Sequence, residues 1–169
     1  MKKNLTLTGM MGVGKSTVAK VLSKHLSLEF VDIDKVIEKE LNLSVQKIFE
    51  LKGEAFFRKI EEKVTLREIK KKNKIISLGG GALMTTKIKD YVISHTLSFW
   101  LDLNINLLKK RLSGSKRRPL LINKNIKLTL EKIYNERKET YLLANYRIDC
   151  SNLTTDLIVK KIIKLYENY

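Results

Sequence analysis

The chain is poor in the residues that most often constrain a fold from outside its core. It has one cysteine, one proline, one tryptophan and eight glycines in 169 residues. The lone Cys150 rules out an internal disulfide and a cysteine-based metal cluster. With Pro119 as the only proline, there is no proline-rich linker. No apolar run approaches the roughly 18–20 residues of a membrane span, so no membrane partner is expected. The start, "MKKNLTLTG", is basic, but its apolar stretch is very short, so a cleaved leader is not expected either. A cytoplasmic enzyme is the expected class.

Acidic residues are also scarce, 18 against 34 basic ones, for a net charge of +16. Such a charge points first to nucleic acid. The composition argues otherwise, because only seven of the basic residues are arginine. The lysines are scattered, and the one basic run, at 70–74, reads as a solvated helix end. Specific nucleic-acid sites favour arginine and aromatic side chains, which are few here. No nucleic-acid partner is expected, and an anionic substrate accounts for part of the charge.

What the chain does have is alternation. Residues 3–8 read as a strand and 15–26 as a helix with Val18, Leu22 and Leu26 on one face. "EFVDID" at 29–34 reads as a strand, and 35–41 as a short helix. The pattern from Ser44 to Lys72 is helical, with an interruption near Gly53. "KIISL" at 74–78 is a buried strand followed by three glycines. Thr85 or Thr86 caps the next helix, "LSFWLDL" at 97–103 is a strand, and Asn104 caps a helix running towards Ser113. Residues 113–124 read as a loop, 126–144 as a long helix and "YRID" at 146–149 as the last strand. Residues 154–167 form a closing helix with Ile158, Ile162 and Leu165 inward. Five strands separated by helices predict an α/β domain over residues 1–169. Its parallel sheet is covered on both faces, in the order 2-3-1-4-5. Ligands in such folds bind at the carboxyl ends of the strands.

Residues 9–16, "GMMGVGKS", match the G-x-x-x-x-G-K-[ST] phosphate-binding loop, placed as required between a strand and a helix. The glycines let successive N–H groups turn inward. Gly12, Val13, Gly14, Lys15, Ser16 and Thr17 then cradle phosphate at a helix start. Lys15 reaches the β- and γ-phosphates, and Ser16 offers a hydroxyl to Mg²⁺. GTPases, motor ATPases and small-molecule kinases share this loop, so it does not name the acceptor.

Other residues bear on the acceptor. Asp32 and Asp34, two apart in an extended segment, face the same way. One suits Mg²⁺ through water and the other a substrate hydroxyl. Arg58 and Arg137 carry forks suited to a carboxylate. Glu61 can hold Arg58 at i,i+3 spacing. Phe49 and Phe57 read as core or as the wall of a small pocket. Gly79, Gly80 and Gly81 let a ligand approach backbone closely. The loop at 113–124 is long for a connection and carries cations without neighbouring acids, which suits a cover over phosphates. Pro119 fixes the backbone after Arg118, which favours Arg118 over Arg117 as the inward side chain.

In this order and spacing, "GMMGVGKST", "DID", "GEAFFRKIE", "SLGGGA", "RRPLL" and "NERKETYLLA" make the chain resemble the shikimate kinases over essentially its whole length. The resemblance implies a P-loop kinase fold in which ATP phosphorylates the 3-hydroxyl of shikimate, a step of aromatic amino acid biosynthesis. It implies shikimate held by Asp34, Arg58, Gly79, Gly80, Gly81 and Arg137, with the two arginines on its carboxylate. Mg²⁺ is implied at Ser16, with Asp32 and Ser77 near its waters. Arg118 is implied as the lid arginine over the ATP phosphates and Arg111 as a residue near the adenine. Catalysis is then expected from Lys15, Asp34 and Arg118, in a monomer. Related acceptors are gluconate and nucleoside monophosphates, and a nucleotide-dependent nucleic-acid-binding protein is the remaining alternative.

Overall fold

The computed structural model describes residues 3–113, 119–121 and 125–169. Five parallel strands form one sheet: β1 (Asn4–Thr8), β2 (Glu29–Asp32), β3 (Lys74–Ser77), β4 (Thr96–Asp102) and β5 (Tyr146–Asp149), ordered β2-β3-β1-β4-β5. This is the order expected from the sequence. The central strand β1 pairs Leu5 with Ile75 of β3 on one side and with Leu97 of β4 on the other. All seven residues of β4 are buried. Successive side chains of a strand face opposite ways, so helices must cover both faces there.

The helices are α1 (Lys15–Leu26), α2 (Ile33–Leu41), α3 (Val45–Ile69), α4 (Thr86–His95), α5 (Ile105–Leu112), α6 (Ile126–Tyr141) and α7 (Thr155–Glu167). Helix α1 packs on α7, α3 on α4 and α5 on α6. Val18 and Leu22 of α1 and Ile158 and Ile162 of α7 are buried as expected. Leu26 and Leu165 are only partly buried, and Tyr166 takes the inward place at the end of α7.

Several boundaries differ from the sequence reading, and two of them have a clear local reason. Strand β2 ends at Asp32, because the Asp32 carboxylate accepts the Lys35 N–H and caps α2. Asp34 therefore stands on the first turn of a helix and not on a strand. Helix α6 ends at Tyr141, where Leu143 and Ala144 donate to Thr140 and Tyr141 in tighter turns. The short 3₁₀ turn Ala82–Met84 after the three glycines is an addition. Thr85 stands at the N-cap of α4 without a side-chain capping bond.

Helix α3 is broken at Gly53, whose φ of 79° and ψ of 170° are not helical. That region of backbone space is essentially reserved for glycine. In an unbroken helix Phe49 and Phe57 would lie about 12 Å apart along the axis. The break folds the helix so that their ring centres are 4.9 Å apart.

Candidate active site

The carboxyl ends of β1, β2 and β3 meet at one edge, and the loop after β1 crosses it. Gly9, Gly12 and Gly14 all have positive φ. A β-carbon on Gly12 would meet Leu112 of α5 at 2.9 Å, so the loop is packed between α1 and α5. The Lys15 ammonium is 2.8 Å from the Gly9 carbonyl and 3.0 Å from that of Met10. The side chain thus folds back over its own loop. Ser16 donates its hydroxyl to Asp32 and lies 3.3 Å from the Ser77 hydroxyl. Lys15, Ser16, Thr17, Asp32 and Ser77 line one open cleft. Arg111 donates to the Val13 carbonyl at 3.1 Å, behind the loop and not in that cleft. Val13 is buried, so its contribution is backbone.

A second cavity adjoins the first. It is lined by Phe49, Phe57, Arg58, Glu61, the three glycines and Arg137, with Asp34 and Gly80 shared between the two. Six segments distant in sequence supply it. Arg58 is held on two sides: Nη1 donates to Glu61 at 2.7 Å, while Nε and Nη2 donate to Glu54 at 3.2 and 2.9 Å. A β-carbon on Gly81 would stand 2.8 Å from both Nη atoms, so Gly81 backs the guanidinium. Burial works to lower the Arg58 pKa, but Glu61 and Glu54 outweigh it and the group is held more firmly charged. Glu61 is fully buried. Burial pushes its carboxyl pKa up; Arg58 opposes this, and Asp34 adds to it.

Gly80 sits where a β-carbon would lie 3.4 Å from Arg137 Nη1 and 3.3 Å from the Met11 nitrogen. Glu61 at Gly79 and Arg58 at Gly81 leave no room for a β-carbon, while Arg137 lies in ordinary contact with Gly80. Met11, Val45, Pro119 and Leu120 complete the wall.

The structure thus brings Lys15, Ser16, Thr17 and Asp32 into one cleft and Asp34, Arg58, Gly79, Gly80, Gly81 and Arg137 into its neighbour. Arg117 and Arg118 lie outside the described residues. So does most of the loop expected to form a lid; of its core, Pro119–Leu121 form a 3₁₀ turn. Sequence reasoning missed Glu54 and Tyr141. Each lies four residues from a site arginine, and that spacing on a helix was the available signal.

A phosphate loop opening into a small apolar pocket with two arginines at its far side defines a P-loop kinase of small carboxylated acceptors. The comparisons agree. The sequence model of the shikimate kinase family matches residues 11–167. The shikimate kinase of Sulfurihydrogenibium sp. (strain YO3AOP1) is 38% identical over 164 residues, 95% of this chain and 96% of that protein. That of Bacillus subtilis (strain 168) is 37% identical, over 96% of this chain and 88% of its own length. The solved structure of shikimate kinase from Acinetobacter baumannii in complex with shikimate superposes with a TM-score of 0.96 at 29% identity, covering 99% of this chain and 94% of that one. The chain belongs to the shikimate kinase family. It is a kinase that uses ATP to phosphorylate shikimate.

Proposed function

We propose that the phosphoryl group passes from ATP over the Gly9–Thr17 loop to the 3-hydroxyl of shikimate, at the junction of the two cavities. One observation carries this reading: Asp34 and Gly80 line both cavities, so donor and acceptor meet beside one carboxylate. Asp34 accepts the hydrogen bond of the attacking hydroxyl and orients it. Arg58 and Arg137 hold the acceptor carboxylate at the other end, and Gly79, Gly80 and Gly81 let its ring lie against backbone. Phe49, Phe57 and Val45 exclude water, which competes for the phosphoryl group. Lys15 exchanges the carbonyls of Gly9 and Met10 for phosphate oxygens. Gly12, Val13 and Gly14 supply backbone N–H donors, and Thr17 lies at the start of α1 beside them. Arg111 belongs to the adenine side, beyond the loop. Arg118 is assigned to the phosphates on the sequence pattern alone.

The hydroxyls of Ser16 and Ser77 and the carboxylate of Asp32 form a cluster of hard oxygen donors. This set suits Mg²⁺ held jointly with phosphate oxygens. Among the described residues no group of three or more His, Cys, Asp or Glu could hold a metal by itself, so metal binding should depend on the nucleotide. When bound, the ion neutralises charge on the phosphates. Ser16 would supply the direct ligand and Asp32 would act mostly through water.

We take the enzyme as a monomer with one kinase domain over residues 1–169. No described helix is long and apolar enough to cross a membrane. A cytoplasmic enzyme without a nucleic-acid partner fits this reading. Two substitutions test the carboxylates apart. Asp34→Asn should lower kcat at least about 100-fold, the scale of lost general-base assistance. Asp32→Asn should shift the Mg²⁺ titration of activity more than shikimate affinity. An unchanged Mg²⁺ titration, or an Asp34→Asn enzyme of near-normal kcat, would overturn these assignments.

A further inference from the structure

Tyr141, the last residue of α6, is fully buried and donates its hydroxyl to the Gly80 carbonyl. That carbonyl belongs to the peptide joining Gly80 to Gly81. The same two glycines back the two arginines of the acceptor pocket. A β-carbon on Gly80 would stand 3.4 Å from Arg137 Nη1, and one on Gly81 would stand 2.8 Å from both Nη atoms of Arg58. Fixing this one peptide plane therefore fixes the surfaces against which both guanidinium groups rest.

Three further neighbours place the ring. Arg137 lies one helical turn before Tyr141, on the same face of α6, and its positive charge acts to lower the pKa of the Tyr141 hydroxyl. Met10 Sδ is 4.0 Å from that hydroxyl, and the Met10 carbonyl is one of the two that hold Lys15. The Tyr141 ring packs on Trp100 at 5.7 Å between centres. The hydroxyl thus stands between the acceptor grip and the phosphate loop without lining either cavity. Burial raises its pKa, so it remains a donor at neutral pH.

We propose that Tyr141 is a positioning residue for shikimate: its hydroxyl pins the Gly80–Gly81 peptide and so sets Arg58 and Arg137 for one carboxylate. A mere core tyrosine would contribute only to stability. A positioning tyrosine contributes to acceptor binding and leaves nucleotide binding alone. The inference rests on the assignment of the acceptor pocket given above.

Tyr141→Phe removes one oxygen and keeps the ring. Steady-state kinetics with shikimate and ATP varied separately should show the shikimate KM raised about fivefold, the scale of one hydrogen bond. The ATP KM should stay within about twofold. Trp100 is the only tryptophan, so its fluorescence gives an independent titration with shikimate, which should weaken to the same extent. Combined with Arg137→Lys, the two losses should be less than multiplicative, because both act on one grip. Fully multiplicative losses, an unchanged shikimate KM with a lowered melting temperature, or equal rises in both KM values would overturn the proposal. The wild-type enzyme is the separate control: if its ADP release does not depend on shikimate, the pocket assignment itself fails.

Discussion

The Glu61 carboxylate occupies the space that a β-carbon on Gly79 would need. Glycine at 79 and a buried glutamate at 61 are thus one feature, a carboxylate pressed against backbone to hold Arg58 from beneath. Gly79→Ala should displace Glu61 and with it the Arg58 fork. Shikimate binding should fall more than tenfold while ATP binding holds, as measured by separate titrations. An alanine enzyme with normal shikimate affinity would show that Arg58 does not depend on this contact.

Glu61 also predicts a pH dependence. Its folded pKa is raised, chiefly by burial. Its contribution to stability is therefore fully present below its unfolded pKa and is lost as pH rises through the raised folded value. Gln at 61 does not titrate. The stability of the wild type relative to Glu61→Gln should decline as pH rises from about 4.3. Denaturant melts of both proteins across that range check it. A difference that grows with pH would mean that Arg58 outweighs burial.

Gly53 offers a test of the backbone alone. A β-carbon there meets nothing within 4 Å, so Gly53→Ala creates no clash. The cost is purely conformational, about 1–3 kcal/mol. The chain can bear it as lost stability or relieve it by straightening α3, which would part Phe49 from Phe57 and raise the shikimate KM. Thermal melting and shikimate kinetics together should show at least one loss, with the ATP KM unaffected. No change in either would mean that the break is set by packing and not by glycine.

How much of this was legible from residues alone differs by feature. The loop at 9–17 and the strand order were legible, because a local motif and a regular βα alternation encode them. The turn at Asp32 was not. "EFVDID" alternates like a strand, and only the Asp32 carboxylate bonding to the Lys35 N–H turns the chain into α2. The pairing of Arg58 with Glu61 followed from i,i+3 spacing, but Glu54, at i−4 from the same arginine, was overlooked. The convergence of Val45, Gly80, Leu120 and Arg137 arises from tertiary packing and has no periodic signature. The glycines at 79–81 signalled close approach. What approaches them in the structure is the enzyme's own Glu61, Arg137 and Arg58.

The two arginines should behave alike though they come from different helices. Arg58→Lys or Arg137→Lys loses the planar fork and should weaken shikimate binding by roughly 1.5–3 kcal/mol, the scale of a charge-assisted hydrogen bond. ATP affinity should change little. Equal losses for both ligands would point to misfolding instead.

Cys150 is buried, and burial pushes its thiol up to about 11. It should resist alkylation at neutral pH in the folded enzyme and react on unfolding. Iodoacetamide labelling followed by mass measurement distinguishes the two states, and rapid labelling of the native enzyme would contradict the packing at the end of β5.

On the proposed mechanism, the phosphate loop and the two-arginine pocket form one transfer site for shikimate. The most direct measurement is ADP release by the purified protein with ATP and Mg²⁺, comparing shikimate, gluconate, nucleoside monophosphates and RNA as the added partner. Release should be saturable with shikimate and absent with the other partners. Release that follows gluconate, a nucleotide or RNA, or that proceeds equally without any acceptor, would contradict it.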